Sequence, residues 1–225
     1  MSREFESQVL KLYAQNMLPR QIALRLGLRV ADVHAVLCSR EPIRDRNGTP
    51  TPLASCLTNV NCARYLLSGM QPQPGQILSC LGMVLVARCS GPDDFLVCTY
   101  LIDYLCLGIK DTLGPRLMTR PDYEHFISHT FASFPDGYQV IEFAAAQAMV
   151  LGAANYALQL GFQPCREFAE TRSHLGHWSG EPQLQFGYQG KPFYINGPYD
   201  NPRQVLRTLE KNVGHGNFDY ILGVG

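Results

Sequence analysis

Four charged residues stand where charge is costly or clustered. Asp103 lies inside the apolar run FLVCTYLIDYLCLG, Lys110 and Asp111 follow at its exit, and Asp200 sits in the late segment GPYDNP. An ionised carboxylate in an apolar strand needs a counter-charge, a hydrogen-bonding cage or a metal ion. Lys110 and Asp111 could complete a charged cluster with Asp103, and acidic clusters on a sheet edge are the layout of metal-dependent nucleases. These four residues are the catalytic candidates; the plain alternative is a hairpin turning its polar face to water. Histidines give a second lead. His125 and His129 stand four apart on one face of an expected helix, and His174 and His177 stand three apart. HFISH, however, lacks the glutamate of H-E-x-x-H, Glu124 preceding the first histidine, so surface histidines are expected, with no metal site and no cofactor. No C-x-x-C pair, P-loop, G-x-S-x-G or G-x-G-x-x-G fingerprint is present.

The third chemistry is phosphate and base contact near the N-terminus. In LPRQIALRLGLRVADVHAVL, from Leu18 to Leu37, Ala23 is a small contact residue and Gly27 fits a left-handed turn. Ile22, Leu26, Leu28, Val33, Val36 and Leu37 supply a miniature core, and the preceding VLKLYAQN supplies a third side. Through LYAQNMLPRQIALRLGL, about residues 3–38 resemble helix-turn-helix domains of the resolvase, transposase and sigma-factor-region type. The resemblance makes Val30–Leu37 the recognition helix and Arg20, Gln21, Arg25, Arg29, Asp32 and His34 the nucleic-acid-binding candidates. Bidentate base readers are few among its exposed positions, Arg29, Ala31, Asp32, His34 and Ala35. Asp32 could accept from a cytosine amino group or simply favour a helix N-terminus. Arg20, Arg25 and Arg29 could meet phosphates, with Arg40, Arg44 and Arg46 as an arm. The expected partner is double-stranded DNA, bound weakly per module, so function is expected to depend on dimerisation, a homodimer being one option, or on a further partner. A three-helix bundle that binds protein is the alternative.

Composition bounds these readings. At 46% hydrophobic and 17% charged residues, the 225-residue chain has a folding, core-burying composition. Lys+Arg and Asp+Glu both number 19, which argues against coating nucleic acid through bulk charge. Residues 1–46 hold eight Lys/Arg against five Asp/Glu, a small basic bias. The eight cysteines fall largely in apolar runs, and the N-terminus is polar and amphipathic rather than a signal peptide. Reduced thiols and a cytoplasmic location are expected. The longest apolar stretch carries Glu142, Gln147, Asn155 and Gln159, so a buried helix is expected and no membrane span.

The elements that must position these residues follow from periodicity and punctuation. A first helix is expected at roughly residues 2–16, two short helices to residue 38, and a proline-rich linker over 39–55, CSREPIRDRNGTPTP forming most of it. A domain over 56–225 follows. It begins with a helix at Asn59–Ser68 and continues with strands at 78–89 and 95–107 joined by SGPDD. Helices are expected at RPDYEHFISHTF, at about 139–160 and at 165–174. A second hairpin is expected to turn at Gln189-Gly190 between LQFGY and KPFYING, before a helix at 202–212 and a strand in FDYILGV. Strands and helices in separate blocks imply an α+β fold: an N-terminal three-helix helix-turn-helix bundle, then an α+β domain with two β-hairpins and an Ala-rich buried helix. YLIDYLCLGIKDTLG, LGFQP and GKPFYINGPYD also resemble a bacterial family of uncharacterised proteins over roughly residues 75–225. That likeness implies a shared pattern at Asp103, Lys110, Asp111, Gly197, Pro198 and Asp200, and no activity. The leading expectation is a DNA-binding transcription regulator whose C-terminal domain senses or oligomerises. The alternatives are a DNA-targeted, nuclease-like enzyme and a protein-interaction module.

Overall fold

The computed structural model describes residues 3–14, 17, 19–29, 32–33, 36, 43–44, 50–70 and 81–222. Within them the chain is α+β. In order, the elements are α1 (Arg3–Ala14), α2 (Pro19–Leu26), β1 (Ile43–Arg44), β2 (Pro50–Thr51), β3 (Leu53–Asn59), α3 (Val60–Ser68), β4 (Leu81–Cys89), β5 (Asp94–Asp103) and β6 (Gly108–Thr119). Then come α4 (Arg120–Phe131), β7 (Tyr138–Val140), α5 (Phe143–Gln159), α6 (Phe168–Thr171), a 3-10 turn at Arg172–Leu175, β8 (Phe193–Ile195), α7 (Pro202–Asn212) and β9 (Asp219–Ile221).

Five strands form one antiparallel sheet in the order β6-β5-β4-β3-β7. Its central strands are buried in long runs rather than alternately, because both faces are covered. Successive side chains point to opposite faces of a strand. Val84 and Val86 therefore meet α5 through Ala146, Met149, Val150 and Ala153. Leu85 and Ala87 share the other cluster with Tyr123, Ile127 and Phe131 of α4. Val9, Ile22, Ala23, Val33 and Val36 of the N-terminal segment belong to that same cluster. The small residues of α5 let it lie close to the sheet, and Arg88 threads the layer beneath its start. The Arg88 guanidinium donates to the carbonyls of His174 (2.9 Å) and Thr51 (3.2 Å) and lies 4.8 Å from the centre of the Phe143 ring.

Several expectations need correction. The strand expected over 95–107 ends at Asp103, and β6, unanticipated, follows. Two hairpins do exist, β4-β5 and β5-β6, but the one expected around Gln189-Gly190 shrinks to a single bridge between Tyr188 and Lys191. The turn residues are right, Gln189 and Gly190 having φ of 50° and 79°. The strand beyond pairs instead in parallel with β9. The linker read over 39–55 contains the paired strands β1 and β2 and the start of β3. His125, His129 and His177 are exposed as expected, but His174 is buried. Desolvation, with Arg88 adding, presses its pKa down to about 3, which keeps the ring neutral beside the Val86 carbonyl.

At the N-terminus α1 and α2 lie where expected, and Gly27 has a φ of 63°. Asp32, Val33 and Val36 are helical, where the recognition helix was read; its remaining residues, His34 among them, lie outside the described residues. Cys56, Cys62, Cys89, Cys98, Cys106 and Cys165 are free thiols. No described helix is long and apolar enough to cross a membrane.

Candidate functional site

Asp103 closes β5, and its carboxylate folds the chain back into β6. Oδ1 accepts from the amides of Leu105 (3.0 Å) and Cys106 (2.9 Å), two backbone groups that the sheet leaves unpaired. Asp103 is 1% exposed, and Oδ2, also buried, has no partner. Burial raises its pKa to about 6 against the opposing pull of those amides and of Lys110. Gly108 then admits the returning strand against α5. A Cβ there would stand 2.5 Å from the Ala157 Cβ and 2.8 Å from the Ala153 carbonyl oxygen, and its φ is 70°.

Lys110 is the extra residue of a β-bulge. Leu101 pairs with Asp111 and Ile102 with Ile109, so nothing on β5 faces Lys110 directly. A bulge re-aims the side chain it carries. Here the ammonium reaches Asp200 across ninety residues of sequence, Nζ to Oδ1 2.5 Å. Oδ2 of Asp200 accepts from the Gly197 amide (2.8 Å) and the Tyr194 hydroxyl (3.4 Å). Burial works against the Asp200 charge, but the hydrogen bonds from Lys110 and Gly197 outweigh it, and the carboxyl is held below its usual range. Asp111, one residue along, is exposed, and its Oδ1 accepts from the Thr112 amide. Asp103, Lys110 and Asp200 are thus neighbours, and Asp111 is turned away.

Tyr156 of α5 and Tyr194 of β8 complete the cluster and were missed from sequence. The Tyr156 hydroxyl is buried without a partner. Both phenols are pushed well above their ordinary range by desolvation, with Asp103 and Cys106 reinforcing the effect in each. Their only sequence signal was a hydroxyl within an apolar run. The hairpin connection is laced to the late segment, the amides of Gly187 and Phe193 donating to the carbonyls of Tyr104 and Leu105. The three stretches behind the second resemblance, at 100–114, 160–164 and 190–200, meet near the C-terminal end of α5, where Cys106, Leu160 and Tyr194 share one cluster.

This arrangement is a clamp. Asp103 is too enclosed to touch a substrate, and the Asp200 carboxylate is already occupied by Lys110. Among the described residues no group of three or more His, Cys, Asp or Glu side chains could hold a metal ion. What the cluster does chemically is fasten β5-β6 to the C-terminal segment.

The N-terminal candidates lie apart from it. Arg20 is in α2, Gln21 is exposed, and exposed Arg25 donates from Nη1 to the Met17 sulfur at 3.7 Å. Arg29, its side chain 83% exposed, holds Asp32 through two hydrogen bonds of 2.9 Å each. The amides of Asp32 and Val33 donate to the Arg29 carbonyl, starting the next helical turn. The hydrogen bond from Arg29 lowers the Asp32 pKa, and both carboxylate oxygens are already accepting. No protein-family model, curated protein or solved structure matches the chain.

Proposed function

We propose that the chain is a DNA-binding regulator whose N-terminal helices contact a duplex and whose α+β domain senses a signal or oligomerises. One observation carries the reading: α1 and α2 bury Val9, Ile22 and Ala23, break at left-handed Gly27, and leave Arg25 and Arg29 exposed on either side of the break. Phosphate contact would dominate. Asp32 is spoken for by Arg29, so a base contact from it would have to compete with a bidentate pair already formed. Leu24, 89% exposed on α2, favours a protein contact instead and is what supports the interaction-module reading. The nuclease-like reading has no open acidic cluster to rest on among the described residues.

Fluorescence anisotropy of the full-length protein on a mixed-sequence duplex, at about 50 and 200 mM salt, tests this. Affinity should fall steeply with salt, and Arg25→Gln should flatten the log–log slope by about 0.9, one phosphate contact. If the protein binds no duplex at the lower salt, or Arg25→Gln leaves the slope unchanged, the N-terminal reading is lost.

A further inference from the structure

α7 is held from one side. Val205 and Leu209 are buried in a cluster with Cys106, Tyr194 and Phe218. Residues four apart line up along a helix, so Arg203, Arg207 and Lys211 form a row on the exposed side. All three line one groove of 740 Å³, together with Gln204, Thr208 and Asn212, and with Gly161 just beyond the end of α5. Asn212 fixes the groove's end by donating to the Leu160 carbonyl (3.2 Å).

The charge in this groove is uncompensated. Among the described residues none of the three cations has an ion-pair partner, Glu210 of the same helix included. Asp200, at the helix's start, is already neutralised by Lys110. Like charges one turn apart repel each other along a helix, so the row sits poised for an anion. No Leu, Ile, Val, Met or aromatic residue lines the groove. The row from Arg203 to Lys211 runs about 12 Å at 1.5 Å per residue. One strand of a duplex presents a phosphate every 3.4 Å or so along the axis, so about three phosphates fit its length.

We infer that the α7 groove binds the phosphodiester backbone of nucleic acid, with Arg203, Arg207 and Lys211 as phosphate contacts and Gln204 as a donor between them. The groove is separate from the N-terminal helices, and the inference stands or falls without them.

The test uses the full-length chain and its triple variant R203Q/R207Q/K211Q, titrated against a fluorescent mixed-sequence duplex and the corresponding single strand over a salt series. The three side chains are exposed and unpaired, so the variant should melt at the wild-type temperature. It should lose affinity at least tenfold at low salt for at least one of the two probes. Its log–log slope should shrink by about 2.7 on the duplex or about 2.1 on the single strand, 0.9 or 0.7 for each phosphate no longer neutralised. R203K/R207K, which keeps the charge, should restore most of the binding. Unchanged affinity and slope on both probes would overturn the inference. So would equal loss in the lysine variant, or wild-type binding to phosphatidylserine/phosphatidylcholine vesicles in place of nucleic acid. R25Q in parallel separates the two readings: loss only in R25Q leaves the N-terminal contact and removes this one, and loss only in the triple variant does the reverse.

Discussion

At Asp103 burial changes the chemistry of a residue that the sequence already singles out. Two backbone amides hold one oxygen, the other has no partner, and burial lifts its pKa to about 6. An ordinary aspartate releases its proton near 4. Between those values the folded chain keeps a proton that the unfolded chain has given up, so this group's contribution to stability falls as pH rises from about 4 to about 6 and stays lost above. Asp103→Asn keeps an oxygen for the two amides and cannot ionise. Urea unfolding of both proteins from about pH 4 to 8 should show the variant gaining on wild type across that window. The gain should level off at up to about 3 kcal/mol, as a shift of two units implies. A constant difference across the pH range would mean that Asp103 is ionised throughout and has a partner that neutralises it. The reason to ask was visible in the sequence, since an acid amid FLVCTYLI and LCLG is conspicuous. Its partner groups were not, because a carboxylate that caps its own turn looks the same in sequence as one aimed at a metal.

Among the elements, α5 and β6 set each other's position through Gly108, where the strand starts a van der Waals contact away from Ala153 and Ala157. Gly108→Ala adds one methyl group against backbone and forces a left-handed φ on an L side chain. It should cost on the order of 2–4 kcal/mol in chemical denaturation, with Ala157→Gly recovering part by removing one of the colliding atoms. A loss under about 0.5 kcal/mol would show the strand free to shift outward. The helices were legible where several signals agreed. For α7 the expected bounds, 202–212, are those observed, and the structure supplies the reasons: Pro202 opens the helix, Asn201 caps it by accepting from the Gln204 amide, and Val205 and Leu209 are buried. β6 was not legible for the opposite reason. Lys110, Asp111, Gly114, Pro115 and Arg116 interrupt any alternation, and two register shifts against β5 take up the irregularity. As an edge strand it has only one neighbour to satisfy, which is where bulges and a proline are tolerated. The clamp was half legible: Lys110 and Asp200 were candidates by type, but their pairing depends on a bulge that no local pattern announces. The row on α7 was in plain view as R-x-x-x-R-x-x-x-K. It went unread because one charged helix face resembles any other until a groove is seen beside it.

For the molecule as a whole, the open matter is whether the N-terminal helices are a passenger on the sheet domain or part of it. A proline-rich stretch after residue 38 reads as a linker, and a linker implies two units that unfold independently. The burial pattern favours sharing. Val9, Ile22, Ala23, Val33 and Val36 fall in one contiguous cluster with Leu85, Phe95 and Phe131 on the sheet face opposite α5. β1 and β2 pair within the stretch between, and β3 begins inside it at Leu53. Part of that apolar area is buried within the helices themselves, so removing them should bare only the shared remainder. A chain shortened to residues 50–225 should still form the sheet, with Arg88, α5 and the Asp103 clamp intact. Losing even about 2 kcal/mol of shared burial should lower the melting temperature by roughly 4–8 °C for a domain of this size. The bared face should also bind a hydrophobic dye that full-length protein does not. Full-length protein should then melt in one transition by both near- and far-ultraviolet circular dichroism. Two transitions, with the shortened chain melting at the temperature of the upper one, would show that the helices hang from a true linker. In that case any DNA held at Arg25 would have no rigid path to the domain behind it, and a signal received there could act only through the spacing of two tethered modules.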